Sequence, residues 1–245
     1  MSNVGFPLSP DLLPITGAAN IVVVPVAFSD LAGSPAEVDV YLEDQTQQIT
    51  KWSEFVSQAA FRYEFQVVKD WVVLEGSAAD YEIRDVPGGN RDVATYIRLA
   101  EDIASSVGAK ANWAIADGLL VLFPRDIATI GNDWGGRGDL VRTPEGEKPL
   151  FFWGGGLWHF SDPSYKDYLW SFWIHELLHS QGLNLHAPGN GWATGLGQNQ
   201  YPNGGKFSGL ISAWESFLLG WISSEQILCV DAREGIGEHH SVLTP

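Results

Sequence analysis

The chain has a single cysteine, Cys229, so no intrachain disulfide can form and packing must hold the fold. It carries only 14 Lys and Arg against 30 Asp and Glu, a net charge of -16. That balance excludes the basic clusters a phosphate backbone requires, so nucleic acid is not an expected partner, and anionic membranes would repel the chain. No apolar run approaches the ~20 residues needed to span a bilayer. Residues 1–10 lack a basic stretch and an apolar core, so no signal peptide is expected in this chain. Methionine occurs only at Met1.

What is present is an ordinary globular balance: 245 residues, 45% apolar and 18% charged, enough for one large domain or a domain with a small subdomain. Residues 20–28 (NIVVVPVAF) form a Val-rich run suited to a buried central strand. Residues 36–59 follow with helical spacing through Val40, Leu42, Ile49, Trp52 and Phe55, and residues 64–75 return to β-branched and aromatic residues. Strand, helix, strand in that order predicts a parallel crossover unit. Residues 92–107 have a second helical stripe through Val93, Ile97, Leu99 and Ile103, and residues 117–124 (DGLLVLFP) form another buried strand.

Residues 125–148 read as loop, being Gly-rich and poor in apolar residues. In residues 150–160 (LFFWGGGLWHF), Gly154, Gly155 and Gly156 leave a stretch without side chains. Either another backbone approaches closely there, or the glycines make a flexible turn between two short strands. Asp162-Pro163 supplies a cap and first turn, and Gly182 a stop, which predicts one almost wholly apolar helix over 163–181. Residues 187–208 read as loop and 210–221 (LISAWESFLLGW) as a second apolar helix; Cys229 reads as a buried strand residue.

The 163–181 helix carries His175-Glu176-Leu177-Leu178-His179, followed by Gly182 and His186. Positions i and i+4 share a helix face, so His175 and His179 can offer two imidazoles to one metal ion. Glu176 is then placed as a general base for water at that ion, and a left-handed turn at Gly182 would bring His186 back as third ligand. At this composition a chance HExxH has a probability of about one in a hundred, and the added glycine and histidine lower it by several hundredfold, so chance explains little. A structural zinc usually takes four ligands rich in Cys; three histidines and an open position fit zinc catalysis better.

On these residues the chain resembles the immune inhibitor A type of secreted zinc metallopeptidase, within the metzincin-like group. The likeness rests on His175-Glu176-x-x-His179-x-x-Gly182, on Phe28-Ser29-Asp30 after the first strand, on Trp52 to Trp71, and on Ala213-Trp214-Glu215 with Leu219-Gly220-Trp221. It spans roughly residues 20–222. Two departures stand out: the family places its third ligand three residues after the glycine, whereas His186 is four after, and its methionine turn has no methionine here. Gly195 or Leu196, in the Trp192 to Leu196 segment, would take that place. The resemblance implies secretion to the extracellular space and a larger natural protein with a β-rich C-terminal part, which the end at Pro245 would fit.

The expected fold class is therefore α/β and zincin-like: a mixed, mostly parallel twisted sheet, a long central active-site helix, and a smaller loop-rich and helical C-terminal subdomain. Residues 1–19 would be an extension, 20–182 the catalytic subdomain and 183–245 the C-terminal one. The expected activity is endopeptidase cleavage of a protein or peptide substrate by a monomer. The substrate backbone would add as a strand along residues 150–160, including Gly154, Gly155 and Gly156. Tyr201 is a candidate oxyanion donor, or else a solvent-facing loop residue. Glu215 is a candidate acceptor for a ligand imidazole, or else a solvated helix carboxylate. His159, His239 and His240 read as surface residues. Calcium is a candidate second cofactor through the acidic composition alone, since no strict calcium-loop spacing is present. Two alternatives stay open: a catalytically silent protein- or glycan-binding module using some of the 11 Trp residues, and a hydrolase of non-peptide bonds.

Overall fold

The computed structural model describes residues 13–34, 42–81, 93–124, 127, 134–135, 138–156, 169–183, 211, 213–222 and 226. Continuous apolar runs make the centre of the sheet. Strand β1 (Gly17–Ala27) pairs in parallel with β2 (Phe61–Val67) on one side and β4 (Gly118–Phe123) on the other. β3 (Val72–Val73) takes up the end of β1 at Val26 and Ala27. β4 pairs in parallel with β7 (Gly146–Gly156), whose other neighbours, β5 (Trp134–Gly135) and β6 (Asp139–Thr143), run antiparallel to it. The order across the sheet is β2-β1-β4-β7-β5. This is the mixed, mostly parallel sheet that the sequence predicts.

The period of two sorts side chains to two faces. Val22, Val24 and Val26 of β1, with Leu119, Val121 and Phe123 of β4 and Leu150 and Phe152 of β7, meet helix α2 (Val93–Val107) through Leu99, Ala100 and Ile103. Ala19, Ile21 and Val23, with Leu120, Leu122, Phe151 and Trp153, meet α1 (Leu42–Val56) and α3 (Leu169–Ser180). α1 offers Leu42, Ile49 and Trp52; α3 offers Trp173, Ile174, Leu177 and Leu178. Helices thus cover both faces, which is why β1 and β4 can be apolar throughout.

Several expectations shift. Residues 125–148 are not all loop: β5 and β6 lie within them, and β6–β7 is a hairpin turning at Pro144 and Glu145. Edge strands need few apolar side chains because the ladder supplies their bonds, so composition hid them. The strand expected over 64–75 is interrupted after Val67 and resumes at Val72. Gly154, Gly155 and Gly156 form no turn; they continue β7 opposite Val121, Leu122 and Phe123. Within the described residues α1 runs Leu42–Val56, residues 36–41 of the expected helix lying outside them, and Phe55, expected on its buried stripe, is 77% exposed. Buried polar residues Gln45, Thr46 and Ser53 take part of that face instead. The second apolar helix shrinks to α4 (Ala213–Leu218). Its neighbours Leu219 and Trp221 join the same core cluster as α3.

Candidate metal centre on helix α3

The motif lies in the second half of α3, the expected 163–181 helix as far as it falls within the described residues. With about 100° of turn per residue, Trp173, Ile174, Leu177 and Leu178 face the sheet, and positions 175 and 179 share the opposite face. Glu176, half-buried, lies between these faces. The fold therefore separates the donor positions from the apolar face that anchors them.

Gly182 ends the helix as predicted. Its φ is 102°, the Gly182 amide donates to the His179 carbonyl at 3.0 Å, and the Leu183 amide donates to the Leu178 carbonyl at 3.1 Å. Those two bonds make a Schellman turn, which requires positive φ at the residue after the helix and so favours glycine. The turn carries the Leu183 carbonyl back to the His179 ring, 2.7 Å from Nδ1. A carbonyl can only accept, so Nδ1 carries the hydrogen, and in the neutral ring the lone pair sits on Nε2. This is the tautomer that a metal-ligating histidine adopts when its second nitrogen is held by an outer acceptor.

Side chains from distant elements fix the end of α3. Trp153 Nε1 on β7 donates to Ser180 Oγ at 3.0 Å, and the Leu13 amide donates to the Ser180 carbonyl at 3.0 Å. Gln181, fully buried, donates through Nε2 to the Pro14 carbonyl at 2.6 Å and accepts from the Tyr63 hydroxyl at 2.7 Å. Burial also pushes the Tyr63 phenol well above its usual pKa, keeping it a donor. At the other end of the described helix the Trp170 amide donates to Gln45 Oε1 on α1 at 2.7 Å. Gly118 on β4 makes room for Trp153: a Cβ there would lie 2.3 Å from its Cζ3.

Glu215 on α4 is 8% exposed, which removes its reading as a solvated carboxylate. Residues 213–222 end in a second Schellman turn, with Gly220 at φ 70° and Trp221 donating to the Ser216 carbonyl at 2.8 Å. Trp221 then stacks on Phe61 at 5.6 Å and donates through Nε1 to the Ile15 carbonyl at 2.7 Å. Of the flanking segments in the likeness, Asp30 accepts from the Ala78 amide at 2.8 Å and Trp71 donates to the Ser34 carbonyl at 3.0 Å; both roles are structural.

The 150–160 segment is not a place for an added strand over its described middle. Trp153 and Gly154 already have β4 on one side and β5 on the other. Among the described residues, β5 is the edge of the sheet, and α3 packs beside it. His186, Tyr201, His159, His239, His240, Cys229 and the 192–196 segment lie outside the described residues, as does the side chain of His175. Among the described residues no group of three metal-donor side chains is gathered. The one motif donor that can be judged, His179, holds its Nδ1 hydrogen on the Leu183 carbonyl and leaves Nε2 as the atom able to act as a ligand.

Sequence reasoning missed Gln181, because its partners stand 118 and 167 positions away and no local pattern announces them. No protein-family model matches the chain, and no curated protein matches it. Among the described residues no helix is long and apolar enough to cross a membrane.

Proposed function

We propose that the chain is a zinc-dependent endopeptidase of zincin-like fold, with Glu176 as general base and His175, His179 and His186 as metal ligands. The observation that carries this reading is the 2.7 Å bond between His179 Nδ1 and the Leu183 carbonyl, which leaves the lone pair of the neutral ring on Nε2. The motif spacing supplies the other ligands. The mixed, mostly parallel sheet is compatible with this reading and leaves its zincin-like detail as part of the proposal.

Bound there, zinc would supply Lewis acidity and lower the pKa of a coordinated water from ~15.7 towards ~7. Glu176 takes a proton from the attacking water and delivers it to the leaving amine, so that one carboxylate serves as base and then as acid. β5, the sheet edge beside α3 among the described residues, is the place for an extended substrate backbone to pair, with Trp153 and Gly154 behind it and Gly155 and Gly156 continuing the same strand. Buried Glu215 is retained as the acceptor for a ligand imidazole, and Tyr201 as an oxyanion donor. The reading includes a secreted monomer acting on protein or peptide.

The test is casein or gelatin hydrolysis by purified protein, removed by a chelator and restored by zinc. The Glu176→Gln variant is expected to keep its zinc and lose activity by about 10²–10⁴-fold. Unchanged cleavage by that variant, or no cleavage by the zinc-loaded parent, refutes the proposal. The latter result favours the binding-module alternative.

A further inference from the structure

We infer that Gln181 is a positioning residue for the His179 imidazole, acting through the turn that ends α3; the inference rests on the zinc reading above. A glutamine amide and a tyrosine hydroxyl facing each other in a buried core are not required for stability. Both lose hydration, and an apolar pair of similar volume fills such space without that loss. What the pair provides is direction. A buried, doubly bonded amide has one orientation, whereas an aliphatic side chain in the same space has several.

That orientation is set by elements outside the helix. Gln181 Oε1 is held by Tyr63 of β2, and Nε2 by the carbonyl of Pro14, in the segment leading into β1. The Gln181 amide closes the last helical turn, donating to the Leu177 and Leu178 carbonyls at 3.1 Å each. The next two residues are Gly182, at φ 102°, and Leu183, whose carbonyl holds Nδ1 of His179. A tilt at residue 181 is thus passed through two residues to the acceptor that selects the ring tautomer. Leu13 strengthens the same anchor by donating its amide to the Ser180 carbonyl.

The experiment uses the Gln181→Met variant of the full chain, with Ile103→Val in the opposite core as a comparison for general loosening. Two quantities are read: the His179 tautomer in metal-free protein, by ¹⁵N NMR of the imidazole, and zinc affinity by competition with a chelator. The parent is expected to hold the Nδ1–H tautomer. Gln181→Met should populate the Nε2–H form and bind zinc about 10–100-fold more weakly, while Ile103→Val should change neither. The inference is overturned if Gln181→Met keeps both the tautomer and the affinity, or changes them no more than Ile103→Val does. If Gln181→Met does not fold, Tyr63→Phe removes one of the two bonds, and the same readouts decide. A parent that takes up no zinc sinks the zinc reading alone, because the metal-free tautomer still tests the positioning role.

Discussion

Replacing Gly118 by alanine tests how closely the sheet and the motif helix are fitted. The added methyl would lie 2.3 Å from Cζ3 and 2.7 Å from Cη2 of Trp153, and 3.0 Å from Cδ1 of Ile21. Trp153 is 2% exposed, and its ring is held by the Nε1 bond to Ser180, so it cannot swing aside cheaply. Overpacking of this kind costs about 1–3 kcal/mol, and loosening the indole bond adds about 1 kcal/mol, so the expected loss is about 2–4 kcal/mol. For a chain of this size that lowers Tm by about 4–16 °C. Urea unfolding followed by circular dichroism measures it directly. A double-mutant cycle with Trp153→Phe sharpens the test, since the smaller ring relieves the clash and the two changes should couple by at least ~1 kcal/mol. A Gly118→Ala protein within about 0.5 kcal/mol of the parent, or additive effects in the cycle, would refute the close fit.

Gly182→Ala forces a side chain into φ 102°, and should cost more than about 1 kcal/mol of stability while weakening zinc retention on dialysis. Normal stability and zinc retention would mean that the turn does not set the site. Burial first, then the hydrogen bond to Asp102 and the Asp102 charge, push the Tyr81 pKa up to about 12, outweighing the opposing charge of Arg98. Because the unfolded phenol titrates near 10, the folded state binds the proton more tightly, so stability should fall as pH rises from about 10 to about 12. Tyr63 contributes with the same sign. Tyr81→Phe should flatten part of that alkaline slope in denaturant midpoints, and an unchanged slope would rule the assignment out.

The central strands were legible because they are buried on both faces: the run in residues 20–28 and the run in 117–124 have no other use for so many aliphatic residues. The HExxH helix and its glycine stop were legible because helical period and positive φ are local constraints. β5 was not, since two residues paired by backbone alone leave no side-chain pattern. α1 was half legible: Thr46 and Ser53 occupy its buried face because their hydroxyls bond carbonyls of their own helix, at 2.8 Å to Leu42 and 2.9 Å to Thr50, and so enter the core without an unpaired group. The support of the site was illegible for a different reason. Tyr63, Trp153 and Pro14 look like ordinary core and loop residues until the chain has folded.

The bonds from residues 13–15 to Ser180, Gln181 and Trp221 also have a consequence in time. They join positions separated by 167 to 206 residues, and the last of them cannot form before Trp221 has emerged from the ribosome. Loop closures of that span come late in folding, after the local helices and the first β-α-β unit. A nascent chain can therefore carry the complete HExxH sequence before the last of these bonds, from Trp221 to Ile15, completes the clamp. On the peptidase reading proposed above, that delay would keep the growing chain from becoming its own first substrate.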